Sequence, residues 1–399
     1  MPAYKYVVRD RLGKKVKGFS IAGDRKLLAE DLSKLGYIFI SADEVSSLKK
    51  GKTVKIKKKD TLALTRNLAA LLNGGIPLLE SMTTLIGDTS ELDQLSILVS
   101  IKSYVEAGGT FRDALSLHPK IFTELYRAVV AGGEATGRLG AALEQMSDYL
   151  EWQQDLQGRI KGLAIYPIIL SVIMLLAVLV IVVFVLPKFE TLFSDFGAEL
   201  PLVTQLAMSF SKLAEKTWYW MLGGIFLLVF VVKLLIKKFY ALALIYDKYK
   251  LKVPIFGDVV YKLCVSRFAR STYLCLFNGI PIVTTLEMVR QTIGNKYLES
   301  AVDMVKKSVF TGGELSAALS GTNVFPSFMV RMVHVGENAG DLSEGFNKTC
   351  KFYDKEIPRI ISAVFAILEP LIIVGLGVAV MALAFIVFLP LTQLLSKVG

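Results

Sequence analysis

The stretches IILSVIMLLAVLVIVVFVL (residues 168–186) and LIIVGLGVAVMALAFIVFL (residues 371–389) decide the fold. Each is free of charge and lies between two prolines, Pro167 and Pro187 for the first, Pro370 and Pro390 for the second. Each approaches the roughly 20 apolar residues that cross a hydrocarbon core. The 399-residue chain around them is 53% hydrophobic, too apolar for an ordinary soluble protein. A third candidate span, residues 218–236, opens on the interfacial aromatics Trp218, Tyr219 and Trp220 and carries only Lys233 near its end, where the ammonium can snorkel.

Basic residues beside the spans set the expected orientation, because Lys and Arg stay on the cytosolic side. Arg159 and Lys161 precede the first span, Lys237, Lys238, Lys248, Lys250 and Lys252 follow the second, and Lys351, Lys355 and Arg359 precede the third. The loop 188–217 instead sets three lysines against Glu190, Asp195, Glu199 and Glu215. Both large polar regions are therefore expected in the cytosol, with that loop and the tail 391–399 outside. The first residues are polar, so no cleavable signal is expected and the N-terminus is read as cytosolic. A net charge of +11 points to anionic lipid or an acidic partner rather than nucleic acid. Cys264, Cys275 and Cys350 match neither a disulfide framework nor metal spacing and read as reduced packing residues.

Laying the second polar region on the first reveals a repeat. Gly75-Ile76-Pro77 matches Gly279-Ile280-Pro281, an offset of 279 minus 75, or 204, which also brings Arg66 onto Arg270 and Gly108-Gly109 onto Gly312-Gly313. After one deletion the offset is 203: Gly133-Glu134-Ala135-Thr136-Gly137-Arg138-Leu139 falls on Gly336-Glu337-Asn338-Ala339-Gly340-Asp341-Leu342, and Pro167 on Pro370. Each copy is thus a helical domain plus its span, and two copies pointing the same way need the extra crossing that residues 218–236 supply. Leu62, Leu64, Leu68, Leu71 and Leu72 recur at helical spacing, with breaks at Gly and Pro, so each domain reads as a bundle of short helices.

The expected organisation is an all-α membrane protein with a small N-terminal αβ module. That module (1–48) holds a hairpin around Gly13, a helix capped at Asp24 and a third strand from Tyr37. A linker with seven lysines (49–59) follows. Then come a first cytosolic domain (60–163), a first span (164–187), an outer loop (188–217) and a second span (218–236). A second cytosolic domain (237–366), a third span (367–390) and the outer tail complete the chain.

This arrangement resembles the type II secretion F family, the inner-membrane platform proteins of type II secretion and type IV pilus machines (general secretion pathway F and PilC-like proteins). The resemblance covers essentially the whole chain: Tyr4-Lys5-Tyr6 with Gly13-Lys14 and Gly18, the twin Gly-Ile-Pro and Gly-Glu-x-x-Gly-x-Leu motifs, and a span after each repeat. It implies a non-enzymatic scaffold in the bacterial inner membrane. Such a scaffold contacts a cytosolic assembly ATPase, pilin or pseudopilin subunits, other inner-membrane assembly proteins and lipid, self-associates, and has no nucleic-acid partner.

The motifs admit structural and functional readings. Gly75, Pro77, Gly279 and Pro281 have the chemistry of one helix ending and the next beginning, and an ATPase contact is the sharper alternative. Arg66 and Arg270 either pair with an acid in their own bundle or reach a partner. Glu337 and Asp341 stand one helical turn apart, so both carboxylates can face one divalent cation, and the family resemblance raises calcium. In the first copy Arg138 replaces the acid, which favours an ion pair with Glu134. The bland reading of Glu134-x-x-Gly137 and Glu337-x-x-Gly340 is a helix corner in which Gly allows close approach and Glu caps backbone amides. His118 and His334 lack a second ligand at metal spacing and read as ordinary residues. No Walker, HExxH or Gly-x-Ser-x-Gly motif occurs, so energy must come from another protein. A transporter or channel is the competing class, but it needs polar groups or mid-membrane breaks that the outer spans lack.

Overall fold

The computed structural model describes residues 3–9, 15–21, 24–34, 37–44, 56–89, 91–180 and 238–398, together with 223–224, 227–228, 230–231 and 233–236. The linker 49–55, the outer loop 188–217 and residues 218–222, 225–226, 229 and 232 of the middle span lie outside the described residues.

Alternating apolar residues at the start of the chain form β1 (Ala3–Arg9), β2 (Lys15–Ile21) and β3 (Ile38–Glu44), with α1 (Arg25–Lys34) between the last two. The strands are antiparallel in the order β2-β1-β3, Tyr6 opposite Gly18 and Ala42. Val8, Leu28 and Ala42 are buried between sheet and helix, with Tyr6, Tyr37 and Phe39 around them. The third strand runs four residues beyond the expected Ile40, because β1 offers partners as far as Glu44.

Helices α2 (Lys58–Asn73), α3 (Leu78–Asp88), α4 (Leu92–Glu106), α5 (Phe111–Ser116), α6 (Glu124–Ala135) and α7 (Leu139–Val180) follow. After α8 (Tyr240–Lys250) come α9 (Phe256–Phe277), α10 (Ile282–Ile293), α11 (Lys296–Phe310), α12 (Leu315–Gly321), α13 (Ser327–Asn338) and α14 (Leu342–Val398). The starts of α10 to α14 exceed those of α3 to α7 by 204, 204, 204, 203 and 203 residues, as 282 minus 78 and 342 minus 139 show. The single deletion falls between α12 and α13.

On α2 the buried stripe runs through Thr61, Thr65, Leu68 and Ala69 rather than through Leu64. Thr65 tolerates burial because its hydroxyl donates to the Thr61 carbonyl at 2.7 Å and meets the Tyr126 hydroxyl at 3.0 Å.

The chain divides into two compact units. The first comprises Met1–Gln154 with Leu274–Met288, the second Asp155–Tyr273 with Val289–Gly399. The units do not follow the repeat: residues 274–288, drawn from the second copy, belong to the first unit, and the division falls within α7 at 154/155. Nor do the prolines end helices. Pro167 lies inside α7, and Pro358, Pro370 and Pro390 lie inside α14. Proline removes one ladder hydrogen bond, and a long apolar helix carries that loss through local adjustment. Among the described residues, two helices are long and apolar enough to cross a membrane, over Leu139–Ala177 and Leu342–Val378. Their apolar residues point outward, Leu175 being 66% and Val374 63% exposed, as lipid-facing residues must be.

Candidate functional site

The Gly-Ile-Pro corners are built identically. At the end of α2, Gly75 adopts φ +84°, its amide donates to the Leu72 carbonyl at 3.0 Å, and the Ile76 amide reaches back to Leu71 at 3.1 Å. At the end of α9, Gly279 adopts φ +75°, with Gly279 to Leu276 and Ile280 to Cys275 both at 3.0 Å. This double closure needs a left-handed residue, a conformation that costs glycine little. Pro77 and Pro281 then stand just ahead of α3 and α10, and their carbonyls accept the amides of Ser81 and Thr285 at 2.9 Å. Both hydroxyls donate to the Ile76 and Ile280 carbonyls at 3.2 Å, and both side chains are fully buried. Ser81 and Thr285 were not singled out from sequence. Their signal was a hydroxyl four residues after each repeated proline.

The Gly-Glu-x-x-Gly-x-Leu corners are equivalent too. Glu134 accepts the Phe111 amide at 2.8 Å and the Arg112 amide at 3.3 Å, one on each carboxylate oxygen, and so caps α5. Glu337 does the same for α12, accepting from Leu315 at 2.6 Å and Ser316 at 3.0 Å. Burial works to raise the Glu337 pKa. The Ser316 and Leu315 hydrogen bonds and the nearby His334 outweigh it and hold the carboxylate below its ordinary range. Gly137 at φ +69° and Gly340 at φ +72° close α6 and α13, with Arg138 donating to Gly133 and Asp341 to Gly336, both at 2.8 Å. Gly133 and Gly336 are buried where neighbouring helices meet: a Cβ on Gly133 would lie 2.5 Å from the Ala142 methyl, and one on Gly336 2.7 Å from the Asp341 carbonyl.

One expectation changes here. Glu134 and Arg138 form no ion pair, because both Glu134 oxygens are committed to α5 and Gly137 turns the chain between the two residues. Glu337 and Asp341 each also serve a different helix: Glu337 caps α12, while Asp341 Oδ1 accepts the Glu344 amide at 3.0 Å and starts α14. The residues that do come together are Glu314, His334 and Glu337, with ligand atoms within 4.8 Å of one another. His334 stands three residues before Glu337 on α13, a spacing that the reading of His334 as isolated passed over. Its Nδ1 meets Ser316 Oγ at 3.2 Å and its Nε2 meets Asn338 at 3.0 Å. With both ring nitrogens and both Glu337 oxygens engaged, the donor set fits a hydrogen-bonded corner better than an oxygen-rich calcium site.

Arg66 pairs with Glu151 on α7, and Arg270 pairs with Asp354 on α14. The acids are equivalent, since 354 minus 203 is 151. In each copy the arginine fastens the first helix to the last, which runs on toward the apolar segment. The three cysteines are buried, and burial pushes the thiols up, to about 11 for Cys264 and about 12 for Cys275 and Cys350, which keeps them protonated and inert.

The profile of the family described as "Type II secretion system (T2SS), protein F" matches the chain twice, over residues 64–187 and 268–390. Type IV pilus assembly protein PilC of Myxococcus xanthus (strain DK1622) is 32% identical over 404 aligned positions, which cover 99% of this chain and 95% of that protein. Type IV pilus assembly protein PilC of Pseudomonas aeruginosa is 33% identical, covering 89% and 94% of the two chains. Type II secretion system protein F of Vibrio cholerae is 27% identical, covering 99% and 98%.

Proposed function

The chain belongs to the type II secretion system protein F family, and from that membership we propose that it is the non-enzymatic inner-membrane platform of a type IV pilus or type II secretion machine. In this reading it couples a cytosolic assembly ATPase to the insertion of pilin or pseudopilin subunits into the filament. It crosses the membrane three times, through residues 164–187, 218–236 and 367–390, with its N-terminus and both helical regions in the cytosol. Other inner-membrane assembly proteins and anionic lipid are its remaining contacts.

The observation that carries this reading is mechanical. In each copy a helix of the bundle continues without interruption into an apolar segment, α7 over 42 residues and α14 over 57. The arginine pair joins that helix to the first helix of its bundle. A push or rotation applied to the bundle is delivered to the bilayer, whereas a flexible joint would dissipate it. No cation is needed at the corners in this reading, so a chelator should leave the unfolding temperature unchanged.

The test is capture of the cognate assembly ATPase by the full chain in nanodiscs. Capture is expected, weakened by charge reversal in the 49–59 linker. Absence of capture, together with solute flux through proteoliposomes, would replace the platform with a transporter. Cysteine labelling from each side of intact vesicles checks the topology. Residues 60–163 and 237–360 on opposite faces would overturn it.

A further inference from the structure

Helix α8 is an addition to the duplicated bundle rather than a part of it. Subtracting 204 from its limits gives residues 36–46, where the first copy has β3. It begins just after the helical residues that end the middle span: Lys238 is helical, Phe239 is extended at φ −109° and ψ 109°, and α8 starts at Tyr240. An extended residue interrupts the helix axis, so α8 turns away from the direction of the residues before it.

One face of α8 is committed to the bundle. Ala243 is buried, the Asp247 carboxylate accepts the Lys296 amide at 2.6 Å, and the Asp247 carbonyl accepts the Asn295 side chain at 3.2 Å, both at the start of α11. The opposite face carries Leu242, Ile245, Tyr246 and Tyr249, the i, i+3, i+4 and i+7 positions of a single stripe, each at least 44% exposed. With about 3.6 residues per turn, Lys248 falls on one side of that stripe and Lys250 on the other, both exposed. Lys248 stands at the rim, 5.3 Å from the centre of the Tyr297 ring.

A second exposed apolar group follows in the turn into α9. The Phe256 amide donates to the Pro254 carbonyl at 2.8 Å, which holds Ile255 between them at φ +69°. A β-branched residue rarely adopts this conformation, and so tight a turn is strained. Val253, Ile255 and Phe256 are all exposed, so the apolar burial that would offset the strain lies outside the bundle.

We propose that α8 lies in the cytosolic surface of the bilayer, its stripe at the boundary of headgroups and acyl chains and its flanking lysines on anionic phospholipid headgroups. An apolar stripe that carries tyrosines and is edged by lysines is the composition of a helix lying in that boundary. The place fits as well, since the middle span ends only three residues before Tyr240, and the exposed Leu234, Leu235 and Phe239 bring apolar surface up to the start of α8. Through Asp247 and Asn295 the second bundle is then tied to the membrane at a point separate from α14. This placement rests on the exit of the middle span into the cytosol, but depth in lipid is measured without reference to side, so the topology and the interfacial helix fail separately.

The test is spin labelling of the full chain in nanodiscs of phosphatidylcholine mixed with phosphatidylglycerol. Leu242→Cys, Ile245→Cys, Tyr246→Cys and Tyr249→Cys are labelled one at a time, the native cysteines being buried, with Arg331→Cys on α13 as the control in the bundle. Accessibility to dissolved oxygen relative to a water-soluble nickel chelate should be several-fold higher at the four stripe positions than at residue 331. Ratios equal to the control would place the face in water, and shielding from both probes would place a protein partner or a second copy on it; either overturns the proposal. Combining Lys248→Glu, Lys250→Glu and Lys252→Glu should lower the ratio at residue 246 in the mixed lipid and change it little in phosphatidylcholine alone. A ratio unchanged in both lipids, with the native cysteines still protected from labelling, would remove the lysines from the contact and overturn the proposal. The four single-cysteine variants decide if the triple variant unfolds.

Discussion

Glu134 and Glu337 do the same work in the two copies, but what surrounds them has diverged. In the first copy a buried polar pair, Thr65 and Tyr126, joins α2 to α6. The equivalent positions in the second are Ala269 and Met329, both fully buried and apolar. Aromatic volume has moved as well: Phe111, Leu64 and Leu143 of the first copy become Leu315, Phe268 and Phe346, and Phe268 now packs 5.1 Å from Phe325 and 6.0 Å from Phe346. The corners kept through this repacking are those where backbone geometry leaves no choice of residue. Cores accept volume-conserving exchange far more readily than a lost left-handed glycine or an uncapped helix end.

The largest expected effect lies at the glycines where helices touch. Gly336→Val forces a Cβ against the Asp341 carbonyl and, at 3.2 Å, the Gly345 Cα, both backbone. Gly133→Val meets the Ala142 methyl at 2.5 Å and the Leu139 Cα at 3.2 Å. Overpacking of this kind costs about 1–3 kcal/mol and sometimes more, and both copies should suffer, since a methyl fixed directly to its helix yields little more than backbone. Thiol labelling during thermal unfolding separates the units, since Cys275 belongs to the first and Cys264 and Cys350 to the second. Gly133→Ala should be rescued by Ala142→Gly, which removes the methyl that the new Cβ would meet at 2.5 Å. Failure of that rescue would break the equivalence of the corners.

Next come the caps. Glu337→Ala strands two amides and should cost about 1–2 kcal/mol. Glu134→Ala should cost less, because Thr110 still accepts the Asp113 amide, whereas Glu314 at the same place caps nothing with its side chain. The Glu337 pKa is lowered on folding, so its contribution is complete above the unfolded value of about 4.3 and is lost as pH falls through the depressed folded value. Glu337→Gln should flatten that acid-side loss for the Cys350 probe.

Asn295→Ala sharpens a third difference. Asn295 is buried at the start of α11, accepts the Tyr297 and Leu298 amides at 3.0 and 3.1 Å, and donates to the Asp247 carbonyl at 3.2 Å. Its equivalent, Glu91, makes no side-chain cap on α4. A loss of about 1 kcal/mol is expected for Asn295→Ala, seen at Cys264 and not at Cys275, and no comparable loss for Glu91→Ala.

The residues also show why some of this was legible in the sequence and some was not. Gly75, Gly137, Gly279 and Gly340 announce themselves because a repeated glycine ahead of a proline or an apolar run has few other physical meanings. Ser81, Thr285 and Thr65 stayed hidden, since a hydroxyl satisfied by a local carbonyl is indistinguishable in sequence from an exposed one. Pro167 and Pro370 were read as ends because proline usually stops helices in water, and nothing local records the apolar packing that lets α7 and α14 run on. The approach of the Asn278 carbonyl, 2.8 Å from where a Gly132 Cβ would lie, was invisible for a simpler reason: a glycine that leaves room for a distant carbonyl looks like any other. The outer loop and residues 218–222 at the start of the middle span lie outside the described residues, and there the sequence speaks through hydropathy and charge.

The smallest expected effect is also the one that best separates scaffold from partner. Arg66 and Glu151 are about half exposed, at 52% and 47%, whereas Arg270 is 18% exposed beside Asp354 at 38%. Exposed pairs contribute little because solvent screens them and two long side chains must be ordered. Arg66→Ala should therefore leave the unfolding temperature unmoved, and Arg270→Ala should lower stability by no more than about 1 kcal/mol, most visibly at low salt. With both outcomes as expected, the pairs would serve alignment, holding α2 and α9 in rotational register with α7 and α14. If Arg66→Ala abolished ATPase capture while Arg270→Ala did not, with both proteins folded, the first arginine would be a partner contact. The likeness of the two pairs would then stop at geometry.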